Sequence, residues 1–120
     1  MNYFFDAYAI LAIIQGNENY KPFAGRLLVT NTLHLAEVFH ILLRDIGEES
    51  AMNIILKLNF EYLEISPTIA IAAAKLKYTN KKANLSYGDC IGYETAKYHN
   101  LLFLTGDQAF ANFENVEFVK

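Results

Sequence analysis

Four carboxylates in the sequence, Asp6, Glu37, Asp89 and Asp107, stand at positions where charge is costly unless it is used. Asp6 directly follows the apolar run Tyr3-Phe4-Phe5, and Asp107 follows Leu101-Leu102-Phe103-Leu104 across Thr105-Gly106. Glu37 is set among Val38, Phe39, Ile41 and Leu42, so a charge there needs a reason. Asp89 comes three residues after Ser86, in the first turn of an expected helix. Clustered carboxylates repel and raise one another's pKa unless a cation joins them. Hard oxygen donors with few nitrogens and no sulfur suit Mg²⁺ or Mn²⁺. Each acid also has a plain reading: Asp6 and Asp107 as helix N-caps, Ser86 with Asp89 as a capping box, Glu37 reaching solvent or paired with Arg44 or Lys97. Taken singly, the plain readings suffice. That all four acids are expected at one end of one sheet favours a shared metal site.

The elements that must place them alternate, as in a parallel sheet covered by helices. Strands are expected at 3–5, 27–29, 62–65, 101–104 and 116–119. Helices are expected from Ala7 to Gln15, from a cap at Thr30, Asn31 or Thr32 to about Asp45, from Glu48 or Glu49 to Leu58, from Thr68 to about Lys81, and from Ser86 to about His99. Gly16 and Gly47 close the first two, and Ser66-Pro67 opens the fourth. Residues 17–26 read as irregular with at most a short helix, and another short helix is expected at 108–112. In open α/β sheets ligands sit beyond the carboxyl ends of the strands, where strand order reverses. The two most apolar strands, 3–5 and 101–104, are expected as central neighbours.

A length of 120 residues, 53% of them hydrophobic, fits a single domain that needs no disulfide or structural metal to form its core. The lone Cys90 cannot form an internal disulfide, a pattern that fits a reducing cytosol. Residues 1–15 lack an early Lys or Arg, and Asp6 interrupts their apolar run, which argues against a targeting peptide. No apolar stretch approaches the roughly 20 residues of a membrane span. A net charge of −3 disfavours a dedicated DNA coater but not an enzyme whose metal ions supply positive charge.

The segments YFFDAYAI, LLVTNTLHLAEVFHIL, LEISPTIAIAAAKL, NLSYGDCIGYETAKYHNLLFLTGDQAF and NVEFV, in that order, resemble a PIN domain, and more narrowly the small VapC-type ribonuclease toxins. Leu85-Ser86-Tyr87-Gly88-Asp89 followed by Leu104-Thr105-Gly106-Asp107 carries most of the resemblance. It implies a three-layer α/β/α fold with a central, mostly parallel sheet, and an acidic metal site of Asp6, Glu37, Asp89 and Asp107 oriented by the Thr105 hydroxyl. It further implies a metal-dependent endoribonuclease, using one or two Mg²⁺ or Mn²⁺ and leaving 5′-phosphate and 3′-hydroxyl ends. A homodimer inhibited by an antitoxin protein belongs to the same expectation. PIN domains often carry Ser or Thr just after the first Asp, whereas this chain has Ala7-Tyr8. Either a hydroxyl is missing there or Tyr8 sits over the substrate.

Other features carry less. His34, Glu37 and His40 invite a zinc reading, but on a helix they fan over about 120°, unlike an i, i+4 ligand pair. His40 is expected packed or at the surface, and His34 near the site entrance. Lys75, Lys77, Lys81 and Lys82, with Tyr78 and Tyr87 interleaved, are either a solvated helix end or a path guiding the RNA backbone to the acids. Phe4, Phe5, Phe39, Phe60 and Phe103 are assigned to the core. Tyr8, Phe39 and Tyr93 are candidates for a dimer face. Two other functions use the same residues: a non-catalytic PIN-like binding module, and a small-molecule phosphohydrolase. The haloacid-dehalogenase type of the latter needs an Asp where Tyr8 stands.

Overall fold

Successive side chains of a strand point to opposite faces, and in β1 (Tyr3–Phe5) both faces are covered. In the computed structural model, which describes residues 2–120, Phe5 packs with Ile10, Tyr20, Val38, Leu42 and Ala51 on one side. Phe4 packs with Ala73, Leu85, Tyr93, Ala96 and Phe110 on the other. β4 (Leu102–Thr105) repeats the division: Leu104 joins Phe5, and Phe103 stacks on Phe4 with ring centroids 6.0 Å apart. This two-sided burial makes three layers. α1 (Ala7–Ile14), α2 (Thr32–Ile46) and α3 (Glu48–Leu56) cover one face, and α4 (Pro67–Thr79) and α5 (Tyr87–Tyr98) cover the other.

β1 pairs in parallel with β4, and β4 with β5 (Val116–Phe118), so the expected central neighbours are indeed adjacent. β2 (Leu28–Thr30) and β3 (Phe60–Tyr62) form a second parallel ladder. β2 lies alongside β1, and the buried Thr30 hydroxyl donates to the Phe5 carbonyl at 2.8 Å, joining the ladders at their carboxyl ends.

Local chemistry sets the boundaries. Asp6, Asn31, Ser66 and Ser86 each cap a helix through a side-chain oxygen, so Asn31 is the cap among its three neighbours. Gly47, at φ +84°, ends α2 with its N–H on the Leu43 carbonyl. Irregular residues 17–26 contain a 3₁₀ turn, Glu18–Phe23. α4 stops two residues short of Lys81, with Asn80 as its C-cap and the Asn80 side chain folded back to donate to the Leu76 carbonyl. The third strand lies at 60–62, not 62–65. Leu63 donates to the Thr30 carbonyl, after which the partner chain turns into α2 and offers Glu64 and Ile65 nothing to pair with.

Replacing Thr30 with Val keeps the volume and strands a buried carbonyl. We expect a loss of about 1–2 kcal/mol in urea unfolding. An unchanged midpoint would mean that packing alone holds the ladders together.

Candidate active site

β1 and β4 end side by side, with the Asp6 N–H on the Leu104 carbonyl at 3.3 Å. Asp6, Thr105 and Asp107 therefore share one end of the sheet. α2 brings Glu37 and α5 brings Asp89 over that end, and the four carboxylates line a single open cleft of about 440 Å³. Ala7, Tyr8, Ile41, Gly106, Gln108 and Lys120 complete its lining.

Asp6 is buried, with one oxygen accepting from the Ala9 N–H at 2.8 Å. Burial pushes its carboxyl up to about 6, against the lowering effects of the Thr105 hydroxyl, the Ala9 N–H and His34, and the Asp89 charge adds to the rise. Burial also raises Asp89, opposed by hydrogen bonds from Ser86 and reinforced by the charges of Asp107 and Glu37. Asp89 accepts from the Ser86 N–H at 3.2 Å while its own N–H donates to the Ser86 hydroxyl at 3.0 Å. Asp107 accepts from the Ala109 N–H at 3.0 Å, and its own N–H donates to Thr105 Oγ1 at 3.0 Å. Thr105 thus touches the backbone of one acid and the side chain of another.

The plain readings and the chemical one coincide, since three of the acids cap helices and still line the cleft. Glu37 differs. Arg44 pairs with Asp45 and Lys97 with Glu114, whereas Glu37 Oε1 lies 3.1 Å from His34 Nδ1. His34 is therefore not at the entrance; it is buried beneath Glu37. His40 is exposed. Tyr8 lies against Gly106, where any Cβ would strike its ring, and it lines the cleft. The role of His34 escaped the sequence reading. The one available signal was Gly88 and Gly92, four apart on α5, which mark a face that another element approaches closely.

The basic residues separate. Lys77 Nζ donates to the Leu85 carbonyl at 2.6 Å and lies 5.3 Å from the Tyr87 ring centre, and Lys81 Nζ lies 4.1 Å over Tyr78. These two lysines and tyrosines, with Asn84, line a groove of about 340 Å³ beside the start of α5. Lys82 faces a neighbouring hollow with Asn80 and Ala83, and Lys75 is exposed outside both. Tyr93 is no candidate for a dimer face: it is buried, with its hydroxyl donating to the Glu114 carbonyl at 2.7 Å. Phe4, Phe5 and Phe103 are core, and Phe39 and Phe60 pack against it half-buried.

The sequence profile of the PIN domain matches residues 3–116, nearly the whole chain. The chain belongs to the PIN domain family. Solved structures share the fold of this PIN domain at low sequence identity. A toxin–antitoxin complex from Klebsiella pneumoniae superposes with a TM-score of 0.73 at 20% identity, over 97% of this chain and 96% of that one. VapBC2 from Rickettsia felis, bound to a DNA fragment from its promoter, gives 0.72 at 17% identity with both chains fully covered. The sarcin–ricin-loop-cleaving toxin VapC20 from Mycobacterium tuberculosis gives 0.71 at 15%, over 97% of this chain and 99% of that one. No curated protein matches the chain by sequence. Among the described residues no helix is long and apolar enough to cross a membrane.

PIN domains are nucleases that generally depend on divalent metal. The donor set here fits such an ion in kind: four carboxylates, two of them raised by burial and by like charge, a cost that a cation offsets. Among the described residues no three potential ligands close on a common point; Asp6, Asp89 and Asp107 each have one oxygen engaged by a backbone N–H, and Glu37 lies against His34. The acids are assembled around the cleft without being drawn together.

Because the Asp6 carboxyl holds its proton more tightly when folded (about 6) than at its ordinary value of 3.8, the metal-free protein gains stability from protonation and loses it as pH rises between those values. The difference corresponds to about 3 kcal/mol. Urea unfolding in chelator across this range should show the decline. Asp6→Asn keeps the cap and should flatten the profile; an equally steep profile in the variant would assign the decline to other groups.

Proposed function

We propose that this PIN domain, a single domain over residues 1–120, is a metal-dependent endoribonuclease and the toxin of a toxin–antitoxin pair. The observation that carries the reading is the convergence of Asp6, Glu37, Asp89 and Asp107 on one cleft at the carboxyl end of the sheet. The three fold relatives support it, being a toxin–antitoxin complex, a VapBC assembly and a toxin that cleaves the sarcin–ricin loop.

The four acids would hold Mg²⁺ or Mn²⁺, and Thr105 keeps Asp6 and Asp107 in register. When bound, the ion supplies Lewis acidity, polarising the phosphate and making an attacking water easier to deprotonate. One of the acids takes the water's proton. No side chain serves as a covalent nucleophile. Cys90 is buried and its thiol is pushed up to about 11 by that burial, which removes the one thiol from the role. Lys77 and Lys81 give the polyanion a positive approach to the acids, with Tyr78 and Tyr87 offering faces to its bases, and Lys75 and Lys82 extending the path. Leu43, Ile46, Met52 and Leu56 expose apolar surface along α2 and α3 for a protein partner, the antitoxin or a second copy.

Millimolar Mn²⁺ should raise the melting temperature of the wild type, because a ligand of the folded state alone stabilises it. No shift would count against the site. Asp89→Asn preserves the capping geometry, so the fold should survive while RNA cleavage falls to background. Cutting at the wild-type rate would leave Asp89 as a cap only. Replacing Lys81 and Lys82 together with Ala should weaken RNA binding alike for all sequences and flatten its salt dependence, leaving Mn²⁺ affinity nearly unchanged. An unchanged salt slope would move the RNA path elsewhere.

A further inference from the structure

His34 lies under the cleft and not in it. Its side chain is fully enclosed, its ring meets Phe4 edge-on with centroids 5.6 Å apart, and a Cβ at Gly92 would collide with its Nε2. A histidine held this tightly has one orientation, and that orientation aims Nδ1 at the site. Nδ1 is 3.1 Å from Glu37 Oε1 and 3.2 Å from the backbone nitrogen of Ala7, the residue after Asp6. The remaining oxygen of Glu37 lies across Gly88, where a Cβ would come within 2.8 Å of it. Glu37 is thus fixed between an imidazole nitrogen on its own helix and a glycine on α5, one residue before Asp89.

The two contacts of Nδ1 make opposite demands, because the Ala7 N–H asks for a lone pair and the carboxylate asks for a proton. A proton on Nε2 would set two lone-pair atoms against each other at the Glu37 contact and leave a buried N–H unpaired, since Nε2 has no partner. A proton on Nδ1 gives the carboxylate a charge-assisted bond, but leaves Nε2 an unpaired acceptor and takes the lone pair from the Ala7 N–H. Each arrangement leaves one N–H unpaired and sets one pair of like groups together; only the second gives the Glu37 charge a partner.

We propose that His34 is a positioning residue: through Nδ1–H it fixes the rotamer of Glu37 at the cleft. The inference rests on the metal reading above and deepens it by naming a support of the carboxylate set that touches neither ion nor substrate. Partners of this kind orient the carboxylate that binds, and losing one weakens metal binding by about 10- to 100-fold. A histidine that only fills space would have no such effect once its volume is replaced.

Three substitutions separate the two roles. His34→Leu keeps bulk and removes the donor. His34→Asn places an amide close to the Nδ1 position, whereas His34→Gln carries its amide out towards Nε2, where there is nothing to meet. Mn²⁺ affinity, followed by the paramagnetic-resonance signal of the free ion, should fall about 10-fold or more in His34→Leu and His34→Gln and largely recover in His34→Asn. The melting temperature in chelator, which reports packing, should not follow that order. Wild-type affinity in His34→Leu, or no recovery in His34→Asn, would overturn the proposal. Absence of Mn²⁺ binding by the wild type would overturn the metal reading itself. Should the variants not fold, nitrogen-detected NMR of the wild-type imidazole decides: a proton on Nδ1 is expected, and one on Nε2 overturns the assignment.

Discussion

Burial of the Asp6 carboxyl is the constraint around which the rest is arranged. A carboxylate at the end of the central strand, buried and beside Asp89, costs free energy in proportion to the rise of its pKa to about 6. Two groups from different parts of the chain lower that cost: the Thr105 hydroxyl and the Ala9 N–H. Each is itself placed by an element boundary, namely the end of β4 and the start of α1. The carboxyl edge of the sheet is therefore where folding tolerates an electrostatic penalty, and in a nuclease family such a penalty marks the place of work.

The caps show how that penalty is contained. Asp6 and Asp107 cap helical segments and Asp89 completes the capping box of α5, so the same carboxylates that repel one another also satisfy backbone N–H groups that would otherwise be unpaired. A local role and a site role reinforce each other at three positions. Glu37 sits mid-helix, where no backbone donor is free, and its partner is a side chain.

This difference explains what was legible in the sequence. Asp6, Asp89 and Asp107 stand at strand ends and helix starts, which apolar runs and capping residues announce, and the pairing of 3–5 with 101–104 followed from their hydrophobicity. The third strand was misplaced because Tyr62 to Ile65 has strand composition, whereas its extent is set by where β2 stops, a tertiary fact. The burial of His34 and Tyr93 was missed because a polar or amphipathic side chain is enclosed by what packs over it. For these two residues, that packing comes from Gly92 and from Phe103, Phe110 and Phe113, all distant in sequence from His34.

The two ladders of the sheet meet along β1 and β2, where the Thr30 hydroxyl joins them. Asp6, Thr105 and Asp107 belong to the three-stranded side, while Glu37 rides on the helix that grows out of β2. The cleft straddles this seam. A change in the spacing of the two ladders would change the spacing between Glu37 and the acids of the three-stranded side. Anything that grips carboxylates from both sides acts as a staple across the seam, so occupancy of the site and rigidity of the sheet rise and fall together.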